Sequence, residues 1–358
     1  METSKINLET LRKKIDRLDS KILWLINQRA KISLAIGRLK AKARQAVYSP
    51  DRESKIISRL SKINNGPVSP ASLSAIYREI MSSSLSLEKP LKISYLGPRA
   101  TFTHLAALKK FGSSLEYVPA NTISDVFINV EQDTADYGVV PVENSIEGAI
   151  THTLDMLADS PLNICAAVKL PVLHNLLSRY KKEQIKKVYS NPQVFGQCRL
   201  WLRMNLPQAE LIEVSSTARA AEIAGREKYS ACIASILAAQ IYKLEILAKS
   251  IEDSKHNVTR FLVVGKDEVP PTGKDKTSAV FSAKDRVGAL HDMLLPFKKY
   301  KINLTKIESR PSKKKAWDYY FFIDLEGHMQ DKKVKKAFAE LNRQATYLRI
   351  LGSYPNID

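Results

Sequence analysis

The chain has 358 residues, 44% of them hydrophobic, and a formal net charge of +19 at pH 7. This length allows two or three domains with hydrophobic cores, and the composition excludes global disorder. No apolar run reaches the ~18 residues of a membrane span, and the first residues lack the apolar core of a signal peptide. Three widely spaced cysteines provide neither a disulfide framework nor a metal-ligand pair. We therefore expect a cytoplasmic protein without membrane partners or a metal centre.

The positive charge raises the question of nucleic-acid binding, because basic domains often bind phosphate backbones. Lysines and arginines are spread through the whole chain, with a local run at residues 313–315. No RNA-binding signature or zinc-finger spacing accompanies them. We predict that most of this charge is solvated surface that attracts small anionic substrates, and that nucleic acid is not a partner.

Residues 1–90, the helical segment, are predicted to be all-helical. Apolar residues recur at spacings of three and four along Leu8–Arg44, which predicts a helix on the order of 50 Å long. Cap residues and prolines predict a second helix from Pro50 to the turn at residues 64–66, and a third from Pro70 to about Glu88. The first helix cannot bury its apolar stripe within 90 residues, so we expect an intertwined dimer.

Arg29 lies within the apolar stripe of the first helix. A buried guanidinium needs an anionic partner, and Lys40, three turns further on, projects from nearly the same face. This pattern favours an anion pocket inside a helical bundle; the alternative is an arginine that snorkels from a coiled-coil edge. Arg12 lies about 100° around the axis from Arg29, so it reaches the same anion only from a second subunit.

The stretch LRKKIDRLDSKILWLINQRAKISLAIGRLK, followed by PDRE, resembles the all-helical chorismate mutases. The resemblance implies rearrangement of chorismate to prephenate. This pericyclic reaction needs no nucleophile or cofactor, but it needs a compact substrate conformer and cations where charge develops. The site residues that the resemblance implies are Arg12, Arg29 and Arg52 for the two carboxylates, Lys40 and Glu88 for the ether oxygen, Glu53 for the ring hydroxyl, and Ser84 as a further substrate-binding residue.

Two positions depart from the best-known bacterial mutase. Ser49 stands where an Asp is often found, and Glu88 stands where that mutase has Gln. Only a protonated Glu can donate a hydrogen bond to the ether oxygen. We therefore predict a raised pKa for Glu88 and a mutase favoured by mildly acid pH. The alternative is an exposed carboxylate at the helix end.

Residues 91–268, the middle segment, alternate short apolar runs with helical patterns. KISYLGP precedes ATFTHLAALKKFG, and YGVVPVENS precedes EGAITHTLDML. Such repeated strand–turn–helix units predict an α/β domain, with a ligand site where strands end and helices begin.

Five stretches of the middle segment resemble prephenate dehydratases, in the same order as in that family: residues 95–112, 141–148, 189–198, 215–221 and 257–265. The resemblance implies a two-lobed fold like type 2 periplasmic binding proteins, with the site in the cleft. It implies that prephenate loses CO2 and its ring hydroxyl, as water, to give phenylpyruvate. Ala100 stands where relatives usually carry Gly, and we expect only a local backbone adjustment there.

The dehydratase chemistry requires a proton for the leaving hydroxyl and groups that hold the substrate still. The resemblance assigns Thr259 to the leaving hydroxyl, and Arg260 either to a substrate carboxylate or to the support of Glu143. For Ser216 and Thr217 the alternative is a helix N-cap, and for Asn144 it is a tight turn. Donors to the carboxylates and the keto group are expected from Asn144, Ser190, Gln197 and Thr217.

Residues 269–276 are predicted to be a linker, and residues 277–358, the C-terminal segment, follow the order β-α-β-β-α-β of a ferredoxin-like fold. This segment resembles an ACT domain. The stretches Gly288-Ala289-Leu290 and Glu308-Ser309-Arg310-Pro311 match the phenylalanine-binding motifs of related dehydratases. The resemblance therefore implies feedback inhibition by phenylalanine, with the second stretch supplied by a partner subunit. The alternative is a domain that serves only in dimerisation.

The whole chain resembles the bifunctional P-proteins, in which a chorismate mutase is joined to a prephenate dehydratase. We expect an all-α bundle, an α/β two-lobed domain and an α+β ferredoxin-like domain. We also expect a homodimer or homotetramer that binds chorismate, prephenate and phenylalanine and uses no cofactor. The alternatives are a monofunctional dehydratase with a regulatory or weakly active mutase-like domain, a basic bundle that binds nucleic acid, and a solute-binding sensor without catalysis.

Overall fold

The computed structural model describes residues 7–43, 45–313 and 318–357. The helical segment contains α1 (Leu8–Lys42), α2 (Pro50–Ile63) and α3 (Pro70–Glu88). Ser69 caps α3 by accepting a hydrogen bond from the Ser72 amide, and proline opens both α2 and α3. The three predicted helices are confirmed; the predicted end of the first at Arg44 lies outside the described residues.

The apolar stripe of α1 is exposed in the single chain. The helix has 35 residues, about 52 Å, and only Ser33 and Gly37 are buried. Its packing partner is α3. None of the described helices has both the length and the apolarity needed to cross a membrane. The exposed stripe comprises Leu8, Leu11, Ile15, Leu18, Ile22, Leu25, Ile32, Ile36 and Leu39.

The middle segment forms two lobes. Its strands are β1 (Lys92–Leu96), β2 (Glu116–Ala120), β3 (Tyr137–Asn144), β4 (Gly148–Ala149), β5 (Asn163–Pro171), β6 (Asn175–Ser178), β7 (Lys187–Ser190), β8 (Glu210–Glu213), β9 (Ser230–Ala234), β10 (Glu245–Ala248) and β11 (Val258–Gly265). Its helices are α4 (Phe102–Phe111), α5 (Ile123–Glu131), α6 (Thr151–Asp159), α7 (Pro192–Gln197), α8 (Arg199–Asn205), α9 (Thr217–Ala224) and α10 (Ile236–Tyr242).

Each lobe is built on its own sheet. The first sheet has the order β2-β1-β3-β11-β5, with β4 paired to β3, and the second has the order β10-β6-β9-β7-β8. The chain thus leaves the first lobe after β5 and returns to it as β11, which runs antiparallel to both β3 and β5. This arrangement confirms the expected two-lobed α/β fold.

The C-terminal segment contains β12 (Asp275–Ser282), α11 (Ala289–Lys299), β13 (Leu304–Pro311), β14 (Tyr319–Glu326), α12 (Lys332–Asn342) and β15 (Tyr347–Pro355). The sheet order β13-β14-β12-β15 and the two helices confirm the ferredoxin-like prediction. The predicted linker was wrong at its end: Asp275 and Lys276 already belong to β12. Asp275 accepts hydrogen bonds from the amides of Thr272 and Gly273, and these bonds fix the start of the strand.

The three segments share hydrophobic cores. Tyr48, between α1 and α2, is buried with Phe111 and Tyr137 of the middle segment. The sheet of the C-terminal segment packs against the first lobe, where Gly352 of β15 meets the backbone of β5. A Cβ atom at Gly352 would lie 2.4 Å from the carbonyl oxygen of Ile164, so no larger residue fits there.

Tyr95 of β1 provides a test of this core. Its ring is fully buried and stacks on His104, and its hydroxyl has no hydrogen-bond partner among the described residues. Because an unpaired buried hydroxyl costs about 1–3 kcal/mol, we expect Tyr95→Phe to preserve or raise the free energy of unfolding.

The matched control is Tyr117→Phe. The Tyr117 hydroxyl donates to the carbonyl of Gly112, so its removal is expected to lower stability by about 1 kcal/mol. Denaturant unfolding monitored by fluorescence measures both variants. If Tyr95→Phe lowers stability as much as Tyr117→Phe does, the Tyr95 hydroxyl has a hydrogen-bond partner and the prediction is wrong.

Candidate active sites

A cavity of about 480 Å³ lies between the two lobes of the middle segment. Its walls come from the ends of strands and the starts of helices, which is where ligands of two-lobed α/β proteins bind. Polar side chains reach it from both lobes: Thr101 and Thr103 beside α4, Asn144 and Glu147 after β3, His174 before β6, Gln197 at the end of α7, Ser216 and Thr217 at α9, and Asn257 and Thr259 at β11.

The Thr259 hydroxyl is oriented by a chain of amide side chains. Its Oγ1 accepts a hydrogen bond of 2.8 Å from Asn144 Nδ2, which also donates to Asn257 Oδ1 at 2.7 Å. Because Asn144 occupies an oxygen lone pair, the hydroxyl proton of Thr259 is available to a ligand in the cavity. Asn144 Oδ1 accepts from the amides of Ile146 and Glu147, so the turn expected at this residue is also present.

Gln197 joins the lobes across the cavity. Its Nε2 donates to Glu147 Oε1 at 2.9 Å, and its Oε1 accepts from Asn257 Nδ2 at 3.2 Å. The same oxygen lies 2.8 Å from Nε2 of the buried His174. Burial lowers the pKa of His174, so the neutral ring donates from Nε2. The polar groups of the cavity therefore hold one another in fixed orientations.

Several residues expected at this site lie elsewhere. Ser190 is fully buried in the second lobe, where its hydroxyl donates to the carbonyl of Ile233. Thr217 does line the cavity, and it is Ser216, not Thr217, that caps α9 by accepting from the Arg219 amide. Glu143 lies outside the cavity lining and forms an ion pair of 3.1 Å with Lys306 of the C-terminal segment.

Arg260 points away from the cavity. Successive residues of a strand face opposite sides of the sheet, so Arg260 lies on the reverse face from Thr259. Its guanidinium pairs with Asp324 and donates to the Tyr354 hydroxyl at 2.6 Å, and both partners belong to the C-terminal segment. Burial alone would lower the pKa of Arg260, but Tyr354 and Asp324 hold it above its usual value. Glu143 lies 3.9 Å from this guanidinium. Arg260 thus joins two segments.

Sequence reasoning missed His174, Glu147 and Asn257. Asn257 lies two residues before Thr259, so the alternation of a strand could have placed it on the same face. His174 and Glu147 carry no such signal, because they enter the cavity from loops of different lobes.

The Arg260–Asp324 pair supports a stability prediction. Removing the charge of Asp324 leaves a buried guanidinium without its counter-ion, which typically costs about 3–5 kcal/mol. We expect Asp324→Asn to lower the thermal unfolding midpoint strongly. In the control Glu143→Gln, a half-exposed carboxylate is lost, and the expected change is at most about 1 kcal/mol. Differential scanning calorimetry measures the unfolding midpoint of both variants. Equal decreases would show that the Arg260–Asp324 pair does not stabilise the protein more than Glu143 does.

Four polar residues meet between α1 and α3 in the helical segment. Arg29 donates to Ser84, whose hydroxyl in turn donates to the carbonyl of Ile80. Burial lowers the pKa of Arg29, an effect that Tyr77 and Glu88 oppose. Glu88 packs against α1 at Gly37, and one of its carboxylate oxygens is buried without a partner among the described residues. Burial raises the pKa of Glu88 although Lys40 and Arg29 oppose the rise, which confirms the raised pKa that we predicted.

Of the other predicted cations of the helical segment, Lys40 and Arg52 lie near this group and Arg12 lies far from it. Lys40 donates to the carbonyl of Val47 at 2.7 Å and to the Ser49 hydroxyl at 3.3 Å. Arg52, exposed in the first turn of α2, acts electrostatically on Arg29. Arg12 is exposed on α1, about 25 Å from Arg29 along the helix, so one chain cannot bring both to one small anion.

Glu53, the neighbour of Arg52 on α2, faces the middle segment. It forms an ion pair of 3.0 Å with Lys110 of α4.

The two motifs of the C-terminal segment lie at a helix start and on a sheet edge. Gly288 takes a left-handed conformation with φ of 75° immediately before α11, followed by Ala289 and the partly exposed Leu290. Glu308, Ser309 and Arg310 lie on the edge strand β13.

Arg310 connects that edge strand to the first lobe. Its guanidinium pairs with Asp155 of α6, which also lies 2.7 Å from Lys313, and hydrogen bonding by Arg310 lowers the pKa of Asp155.

Comparisons with known proteins match each of the three segments. The chain matches the family models of chorismate mutase type II at residues 11–89, prephenate dehydratase at 93–269 and the ACT domain at 277–343. A bifunctional chorismate mutase/prephenate dehydratase of Aquifex aeolicus is 52% identical over 97% of this chain and 98% of its own length. One of Stutzerimonas stutzeri is 45% identical over 97% of each chain.

A solved structure is also similar to much of the chain. The crystal structure of prephenate dehydratase from Arthrobacter aurescens in complex with L-Phe has a TM-score of 0.69 and 34% identity, and covers 74% of this chain and 90% of that one.

Fold and comparisons together define an enzyme of aromatic amino acid synthesis with two catalytic units and an ACT domain. The chain belongs to the bifunctional chorismate mutase/prephenate dehydratase family. It rearranges chorismate to prephenate and converts prephenate to phenylpyruvate.

Proposed function

We propose that the two reactions occur at two separate sites in the units 1–90 and 91–268, and that the unit 277–358 regulates them. In the helical segment, Arg29, Arg52 and an Arg12 from a second subunit bind the two carboxylates of chorismate. Lys40 and protonated Glu88 donate to the ether oxygen, where negative charge develops as the bond breaks. The grouping of Arg29, Ser84 and Glu88 between α1 and α3 supports this assignment.

The ion pair with Lys110 restricts the role of Glu53 in chorismate binding. If Glu53 contacts the ring hydroxyl, its carboxylate binds the substrate and Lys110 at the same time.

In the cleft of the middle segment, the Thr259 hydroxyl donates a hydrogen bond to the ring hydroxyl of prephenate and relays a proton from solvent to it, so that the group leaves as water. Breaking the bond between the ring and its carboxylate releases CO2 and supplies the electron pair that expels the hydroxyl, so the ring becomes aromatic. Asn144 fixes the Thr259 rotamer, while Gln197 and Thr217 hold the remaining carboxylate and keto group. The single observation that carries this proposal is the Thr259 hydroxyl, which lines the cavity with Asn144 bound to its oxygen.

Phenylalanine is proposed to bind the C-terminal segment at Gly288–Leu290 and Glu308–Arg310. Two contacts connect this segment to the cleft. Arg310 holds α6, whose N-terminal neighbour Ile150 lines the cavity, and Arg260 is joined to Thr259 through the backbone of β11. The L-Phe complex of the Arthrobacter aurescens relative supports this choice of effector.

The proposal includes a homodimer formed through the exposed apolar stripe of α1. Dimer formation would bury that stripe and place Arg12 in the active site of the second subunit. A tetramer formed through the C-terminal segments remains compatible with the edge position of β13. We assign the enzyme to the cytoplasm because its three cysteines are buried and free.

A coupled assay tests the proposal. Purified protein receives chorismate alone, and chorismate loss and phenylpyruvate formation are followed together, with and without phenylalanine. We expect both, with phenylpyruvate formation slowed by phenylalanine. Accumulation of prephenate would contradict the cleft assignment, and phenylpyruvate from added prephenate but not from chorismate would contradict the mutase site.

Thr259→Ala is expected to lower kcat for prephenate by about 100- to 10,000-fold, because the leaving hydroxyl loses its proton donor. Thr259→Ser keeps a hydroxyl and is expected to retain most of the activity. Chorismate loss in the same preparations serves as the control for folding and should not change. Equal activity of the alanine and serine variants would exclude the hydroxyl from the chemistry.

The pH profile tests Glu88. Its donor form is the protonated acid, so the mutase rate should be highest below the raised pKa of Glu88 and fall as pH increases through it. Glu88→Gln donates at every pH and should give a flat profile over the same range. Chorismate absorbance at saturating substrate measures both enzymes. A flat wild-type profile would rule out proton donation by Glu88.

A further inference from the structure

The α4 helix of the first lobe ends against two helices of the chorismate site. Its last turn and the following loop contact α3: the Ser113 amide donates to Glu79 at 2.9 Å, and the Ser114 amide donates to the Ser82 hydroxyl at 3.1 Å. Ser82 lies one half-turn from Ser84, on the helix that also carries Glu88. The lobe that binds prephenate is therefore in direct contact with the helix that completes the mutase site.

The same end of α4 holds the start of α2 through Lys110. The ammonium group lies 3.0 Å from Glu53 Oε2 and 5.5 Å from the ring centre of Tyr48, and the Lys110 and Glu53 side chains are both mostly buried. Tyr48 itself is packed between Phe111 and Tyr137, so the loop that precedes α2 is anchored in the core of the first lobe. A charge-assisted pair in such surroundings holds its partners in a narrow range of positions.

Glu53 and Arg52 are consecutive residues in the first turn of α2. The turn has no side-chain cap: the Ser49 carbonyl accepts from the Glu53 amide at 3.1 Å, but the Ser49 hydroxyl accepts from no amide of α2. The packing of Tyr48, the hydrogen bonds of Lys40 to Val47 and Ser49, and the Glu53–Lys110 pair therefore hold this turn, and the ion pair is the contact made by the end of α4. Glu53 pairs with Lys110, so its carboxylate faces the lobe. The neighbouring Arg52 is exposed, and its charge lowers the pKa of Arg29 in the mutase group.

We propose that Lys110 is a positioning residue for the chorismate mutase reaction. By holding Glu53, it fixes the first turn of α2 and thereby the guanidinium of Arg52 that binds a substrate carboxylate. The mutase site is then completed by the dehydratase lobe of the same chain. This inference rests on the proposed function, since it takes Arg52 as a chorismate ligand.

The experiment compares Lys110→Met with Lys110→Arg in the full-length protein. A misplaced Arg52 weakens substrate binding, so the methionine variant is expected to raise the KM for chorismate roughly tenfold with a smaller change in kcat. The arginine variant keeps the charge and should restore KM to within about threefold. Dehydration of added prephenate, measured in the same preparations, should stay within about twofold of wild type and so report an intact lobe.

Lys109→Met is the matched control. Lys109 is the preceding residue of α4, but its ammonium group donates to the Lys169 carbonyl within the lobe and not to the helical segment. It should leave the KM for chorismate unchanged. A rise in KM equal to that of Lys110→Met would assign the effect to general damage at the end of α4 and overturn the proposal.

A double-mutant cycle with Glu53→Gln gives the decisive comparison. If Lys110 acts through Glu53, adding Lys110→Met to Glu53→Gln produces no further rise in KM. Additive rises, an unchanged KM in Lys110→Met, or equal losses of both enzyme activities would each overturn the proposal. A wild-type protein that does not consume chorismate would instead refute the proposed function, so the two failures are distinguishable.

Discussion

The alternation of side chains along β11 determines how this enzyme is assembled. Thr259 and Arg260 are adjacent in sequence and face opposite sides of one sheet, so the cavity between the lobes and the C-terminal segment lie back to back. The strand is central, between β3 and β5, and cannot shift its register without exposing its buried face. Binding of the C-terminal segment and orientation of the Thr259 hydroxyl are therefore properties of the same short piece of backbone.

The segments are joined by packing as well as by chain connections. Tyr48 belongs to the first-lobe core, and Val280 and Phe322 of the C-terminal sheet pack with Leu157 of α6. Interfaces of this kind transmit displacement, because packed cores have few alternative arrangements. For an effector on the C-terminal segment, the available routes to the cleft are the Arg310–Asp155 contact with α6 and the Arg260–Asp324 contact with β11.

Much of the fold could be predicted from the sequence because its signals are local. Prolines indicated the starts of α2 and α3, and strand–turn–helix alternation indicated the two-lobed fold; the serine cap is present at Ser69 of α3, whereas the Ser49 side chain forms no cap on α2. Ala100 adopts φ of 74°, a left-handed conformation that favours Gly. The directions in which Ser190 and Glu53 point were not predictable, since they depend on partners far away in sequence. Strand alternation places Arg260 opposite Thr259, but it does not indicate the partner Asp324 in the C-terminal segment.

Gly352 has a consequence for the evolution of the family. Where β15 crosses β5, the two backbones are too close for any side chain at this residue. Exchange of regulatory modules between enzymes is a common route to new control, but here a transplanted module must bring a glycine to this crossing. A donor module with alanine at that position would be held away from β5 by its own methyl group. Recombination at the boundary near residue 270 is thus restricted by a contact more than 80 residues downstream.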